Sequence, residues 1–239
     1  MGIPNQFNDI IQKHLNVSAA WLPITNNFTL GDYGIISDGV FTKMGNIREF
    51  GVSFTQATGP DASIDFTSAN TTVVKFAAGA QVNVIPSGAI DAKITFKFES
   101  EKSFLVKAPV IKITEIQNVN QVATGLRDAK NWERKWKVVY QVYNALDPVI
   151  ISTIAAGTEV TFSGDTQALQ SLRVGNASVE VGTNKELGLK VLGKAGIIGL
   201  GLFKLKLLGS GPAFLLEDEK KAPAEVELLN QASPLEDDI

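Results

Sequence analysis

Within Ala89 to Ser100, Ile90, Ala92, Ile94, Phe96 and Phe98 fall on one side, and Asp91, Lys93, Thr95, Lys97 and Glu99 fall on the other. No other stretch constrains the chain as strongly. Only a β-strand, whose successive side chains point to opposite faces, turns that order into one apolar and one charged face. Residues 71–84 alternate less regularly, with Val74 and Phe76 opposed to Lys75. Ile85-Pro86-Ser87-Gly88 between the two supplies turn chemistry, so together they predict a long β-hairpin.

Period two dominates from about Phe28 to Gly211, and further strands are expected at 104–116, 137–143, 158–162, 177–181 and 201–208. Short helices are expected over 5–15, where Phe7, Ile10, Ile11 and Leu15 share a face and Asn5 is placed to cap, and over 118–131 and 166–172. The apolar run 149–154 fits a helix or a strand equally. The fold class is therefore α+β: a twisted, mostly antiparallel central sheet with short peripheral helices.

The chain has 239 residues, 44% of them apolar, which is ample for a core. It has no Cys and one His. Disulfides, zinc fingers, iron–sulfur clusters, thiol nucleophiles and multi-histidine metal sites are excluded. No G-x-S-x-G elbow, P-loop or dinucleotide fingerprint occurs. The acids are scattered, and local sequence singles out no pair for acid–base work. His14 reads as a packed or half-exposed helix residue. Gly193, Gly196, Gly199 and Gly201 read as small residues where strands cross closely or the sheet bends. The expectation is a protein that is not an enzyme, with no catalytic residue, cofactor or metal.

The net charge of −3 hides a split. Residues 217–239 carry eight acids against Lys220 and Lys221, a charge of −6, and the rest carries +3. This divides the chain into a β-rich body, 1–216, and an acidic tail, 217–239. Opposite signs invite contact between them. Pro223 suits a first helical position, and the Val226/Leu229 and Leu228/Ala232 spacings predict a short tail helix. Apolar residues in an acidic tail suggest docking, above all against the Lys-rich final strand or the amphipathic hairpin. The N-terminus shows no secretion signal, and lysines interrupt the most apolar stretch, 187–216, so no membrane helix is expected and the default location is cytoplasmic.

Arg127, Lys130, Trp132, Arg134, Lys135, Trp136 and Lys137 interleave cations with indoles, a pattern suited to an anionic lipid surface or a nucleic-acid backbone. A simpler reading is a helix end and strand start with partly buried tryptophans. The charge balance gives no sign of a nucleic-acid partner.

The order of elements resembles the bacterial gasdermins, small pore-forming proteins of cell-suicide (antiphage) defence. The resemblance rests on Leu22-Pro23 before the first strands and on a glycine-marked hairpin from Leu30-Gly31-Asp32 to Met44-Gly45-Asn46-Ile47. It continues with the Phe-x-Phe strand end Ile94–Phe98, the apolar strand 136–143, the Val-rich strand 179–181 and a final Gly-Leu-Phe-Lys-Leu strand, 201–205. It implies a gasdermin N-terminal-domain-like fold held inactive by its C-terminal segment. An activating protease would remove that segment, with Lys220 or Lys221 suiting a trypsin-like enzyme and Asp218 a caspase-like one. The body would then leave the cytoplasm for membrane lipid, form a homo-oligomer in the inner membrane and extend amphipathic strands into a β-barrel pore. Val226, Leu228 and Leu229 become candidate latch contacts. Ile90, Ala92, Ile94, Phe96 and Phe98 become candidate membrane-strand residues, and Arg127, Trp132, Arg134, Lys135 and Trp136 a candidate lipid-facing cluster. The family commonly carries a lipidated N-terminal Cys, and this chain has none. The alternative is a soluble, non-enzymatic β-rich structural or assembly module that binds another protein.

Overall fold

A computed structural model describes residues 2–172, 180–183, 187–206 and 226–229. The protein is a mixed α+β structure with mostly antiparallel sheets and few short helices. In chain order the elements are α1 (Ile3–Leu15), β1 (Ser18–Ala19), β2 (Asp32–Ser37), β3 (Val40–Asn46), a 3-10 turn (Ile47–Phe50), β4 (Gln56–Thr58), β5 (Ala62–Thr67), β6 (Thr71–Ala77), β7 (Ala80–Val82) and β8 (Lys93–Phe98). There follow β9 (Phe104–Ile116), α2 (Val119–Asp128), β10 (Lys137–Leu146), β11 (Val149–Thr153), β12 (Thr158–Ser163), α3 (Thr166–Ser171), β13 (Glu180–Thr183), β14 (Leu187–Leu192), β15 (Ala195–Leu205) and β16 (Val226–Leu229). They form two compact units that interleave in sequence. One takes Gly2 and Ile3, Asp61–Ile111 and the described residues of Ala145–Gly196. The other takes Pro4–Pro60, Lys112–Asn144 and the described residues from Ile197 onward.

In the first unit, β13, β12, β8, β6 and β7 form a five-stranded sheet. Ile94, Phe96 and Phe98 of β8 point inward beside Val160 and Phe162 of β12, and Leu169 and Leu172 close that core. Each fully buried Phe contributes about 2–3 kcal/mol of transfer free energy. Leu105 of β9 and Val149 and Ile151 of β11 pack into the same cluster. The run 149–153 is thus a strand buried along its whole length, which explains why it lacks alternation. Pro109 is tolerated within β9 because it falls in the register shift opposite β5, where no ladder donor is needed.

The predicted pairing of the 71–84 and 89–100 segments is present as β6 on β8, with Thr71 opposite Phe98 and Phe76 opposite Lys93. Two details differ. β7 folds back on β6 through Ala78-Gly79, both at positive φ. β8 starts only at Lys93, because Asp91 adopts φ 51° and breaks the alternation, leaving Ile90 exposed in the preceding loop.

In the second unit, strand β15 presents Phe203 and Leu205 to one core and Leu200 and Leu202 to another on its opposite face. The first core includes Val122, Ala123 and Leu126 of α2, with Tyr33, Ile47, Trp136 and Val138. The second gathers Ala20, Phe28, Ile36, Phe41 and Val139. Helix α1 buries Phe7, Ile10 and Ile11 as the spacing predicts. It begins at Ile3, however, so Asn5 lies inside its first turn instead of capping it, and its amide packs against Gly39. Gly34 sits at the bulge between β2 and β3, where a Cβ would fall 1.9 Å from the Thr42 carbonyl oxygen. Asn46 and Glu49 form a capping box at the 3-10 turn.

Candidate functional site: the C-terminal strand on β15

The edge of β15 is covered by two short strands in succession. Ser18 and Ala19 of β1 stand opposite Leu200 and Gly199, and β16 continues on the next stretch of β15. Leu229, Leu228, Glu227 and Val226 face Leu202, Phe203, Lys204 and Leu205. The predicted tail helix is therefore incorrect over these residues. A short helix is marginal on its own, whereas an edge strand with unpaired N–H and C=O groups templates an extended partner.

Once extended, alternate residues of β16 serve different faces. Leu229 is 6% exposed and joins Leu200 and Leu202 in the second core. Val226 packs on the first core, beside Phe203 and Leu205. Glu227 reaches Lys204 across the ladder at 3.7 Å, each side chain being about a third exposed. Leu228 keeps 44% of its surface in solvent. Of the three apolar residues expected to dock, Leu229 is buried and Val226 half-buried, while Leu228 stays largely outside. Spacing alone could not reveal Lys204 as the partner of Glu227, because the two meet only through strand register. Asp218, Lys220 and Lys221 lie outside the described residues.

No family model and no curated protein matches this chain.

The amphipathic strand lies in the other unit. Ala92, Ile94, Phe96 and Phe98 are buried, whereas Ile90 is 73% exposed. On the opposite face Thr95 and Thr161 share a hydrogen bond of 2.9 Å, and Lys97 and Glu159 form an ion pair at 2.9 Å. Such cross-strand pairs add modestly to sheet stability.

The basic and aromatic cluster separates into two parts. Trp136 is buried and Trp132 half-buried, with ring centroids 5.2 Å apart at 88°, and both pack on Tyr33 and Phe50. Neither indole N–H has a conventional acceptor. The edge-to-face ring contacts fit an N–H directed at a π face. Arg134 and Lys135 are exposed, and Arg127 bonds Asp128. In this state the indoles pack on the core, and Arg134 and Lys135 face water.

His14 is exposed on α1, and among the described residues no group of His, Cys, Asp and Glu is placed to hold a metal ion. Burial, then Tyr143 and Glu115, pushes the Tyr140 phenol up to about 12. Burial, then Glu115, raises Tyr143, and burial, then Glu49, raises Tyr33. Gln141 donates to Glu115 at 2.7 Å and accepts from Tyr143 at 3.3 Å. This chain of polar side chains sits beside Gly201, whose lack of a Cβ leaves room for Gln141. Among the described residues no helix is long and apolar enough to cross a membrane, which leaves crossing by strands open.

Proposed function

We propose that the protein is an autoinhibited, gasdermin-like membrane pore-former whose C-terminal segment is its latch. The observation that carries this reading is β16, a four-residue strand that completes the edge of β15 and seals part of both flanking cores. Acidic residues 217–225 precede it, and the candidate cleavage residues Asp218, Lys220 and Lys221 lie there. Proteolysis in that stretch turns β16 into a separate short peptide. A peptide of that size binds weakly, because on docking it loses the translational and rotational freedom that covalent attachment had already restricted.

Loss of β16 exposes a strand edge and apolar surface around Leu200 and Leu202. The activated body would move from the cytoplasm to the inner membrane and assemble there as a homo-oligomer. β8 and its neighbours supply amphipathic material for a barrel. A spanning strand needs about 9–11 residues, and the alternation running from Ile90 to Phe98 would have to be restored through Asp91. In a barrel Lys93 and Lys97 face the lumen and Ile94, Phe96 and Phe98 face lipid. The biological setting that fits is antiphage cell suicide.

The test compares full-length protein with protein ending at Glu219 on dye-loaded anionic liposomes. Release from the truncated form alone is expected. Equal release from the two, or none, overturns the proposal and favours a soluble assembly module.

A further inference from the structure

The first unit contains a cleft of about 460 Å³ that none of the preceding argument uses. Its apolar wall is formed by Ile94 and Phe96 of β8, Val73 of β6 and Leu172 after α3. Val73 is 44% exposed there, so the inner face of β6 is left partly uncovered. Two cations line the same space. Lys75 stands next to Ile94 in the ladder, on the face that elsewhere carries only apolar or threonine side chains. Lys107 enters from β9. Among the described residues no carboxylate lines this cleft.

Neither ammonium has used all of its donors. Lys75 donates to the Asn83 carbonyl oxygen at 3.3 Å, and Lys107 pairs with Asp65, whose side chain is 74% exposed and lies outside the cleft lining. Gln170 adds an amide, fixed by donating to the Ile85 carbonyl oxygen at 3.2 Å, and its NH2 group carries a second hydrogen that could be donated to an anion. Lys107, Gln170 and Leu172 also form the wall of an adjoining space of about 250 Å³, and Asp65 lines that space. Pockets for small ligands are mostly apolar, begin at about 300 Å³ and fix orientation with a few polar groups. A lysine on the apolar face of a strand adds nothing to packing that an aliphatic residue would not. An anion held against that face would give its ammonium the charged partner that the cleft lining lacks.

We infer that this cleft is a binding site for a small organic anion: a carboxylate, sulfonate or phosphate on a compact apolar body, with the charge between Lys75 and Lys107 and the body on Phe96 and Ile94. The inference is independent of pore formation.

The test titrates full-length protein with 1-anilinonaphthalene-8-sulfonate and with its uncharged counterpart N-phenyl-1-naphthylamine. The anion is expected to bind more tightly than the neutral probe. Lys75→Met and Lys107→Met should each weaken it about tenfold, the effect of losing one charge-assisted contact, while the neutral probe is unaffected. Lys13→Met on α1 serves as the control and should change nothing. Phenyl phosphate should displace the anion where inorganic phosphate alone does not. Val73→Trp, substituted at a half-open position, fills the space and should abolish binding of both probes without altering the circular dichroism. Unchanged sulfonate affinity in both lysine variants, or full binding in the Val73→Trp protein, overturns the site.

Discussion

Glu227 stands directly opposite Lys204 in the antiparallel ladder of β16 on β15, with 3.7 Å between carboxylate and ammonium. The pair is cross-strand, so its geometry reports the register of the whole C-terminal strand. Solvent reaches both side chains, and the attraction contributes only about 0.5 kcal/mol. Packing of Leu229 and Val226 is the larger force, and the ion pair sets alignment.

Glu227→Lys places like charges opposite each other in the ladder. Amide hydrogen exchange at residues 226–229 should then speed up by about threefold, as expected for a partly exposed pair turned repulsive. The double exchange Lys204→Glu with Glu227→Lys should return exchange to the wild-type rate. High salt should shrink the difference. Unchanged exchange in the single variant would show that the pair has no bearing on docking.

Asp32 is a heavily committed carboxylate in the second unit. It is 0% exposed, accepts from the Thr29 amide at 2.8 Å, the Thr29 hydroxyl at 3.0 Å and Asn46 at 2.9 Å, and pairs with Lys43 at 2.8 Å. Asp32→Ala strands these donors, and stability should fall by about 3–5 kcal/mol, read as a lower urea midpoint. A loss below about 1 kcal/mol would mean that water replaces the carboxylate at little cost.

All three tyrosines have phenols raised above the ordinary value of 10.0, Tyr140 to about 12. The neutral phenol is the form the fold favours. The unfolded chain loses its phenolic protons near pH 10 and the folded chain later, so unfolding releases protons in that window. Stability should hold below pH 10 and fall as pH rises towards 12. Phenolate absorbance should show no native titration centred at 10, and denaturant should restore one. A native midpoint at 10 would contradict the burial of these rings.

Much of the fold is legible in the residues, and the exceptions have physical causes. β9 spans Phe104–Ile116 as expected, because a segment rich in Phe, Val and Ile has strong strand propensity even though its alternation is imperfect. Helices α2 and α3 fall within the expected ranges. Ile90 drops out of its strand because one residue at positive φ ends a ladder, and no period detects that. Val226 and Leu229 have helical spacing yet lie in a strand, since so short a segment takes its conformation from the edge it pairs with. Local sequence also does not show the interleaving of the two units, or that Lys75 and Lys107 line one cleft. Both depend on contacts between distant parts of the chain. Of the candidate site, the docking of an acidic, partly apolar tail on a Lys-bearing strand could be anticipated from the charge split, whereas the opposed pair of residues could not.

Leu229 offers the sharpest test of what β16 does. Its side chain is 6% exposed among Leu200, Leu202 and Val139. Leu229→Asp buries a carboxylate with no cation facing it from Leu202, its partner in the ladder. Several kcal/mol of desolvation cannot be recovered there, so the strand should open instead. β15 keeps its pairing with β10 and β1, so the fold should survive with little change in circular dichroism. Protection of the amides at 226–229 should disappear. Leu229→Ile conserves volume and should retain it. If β16 is the latch, the full-length Leu229→Asp protein should leak dye from anionic liposomes without any protease, and Leu229→Ile should not. An Asp variant that loses protection at β16 and still leaks no dye would separate strand docking from latency and count directly against the proposed function.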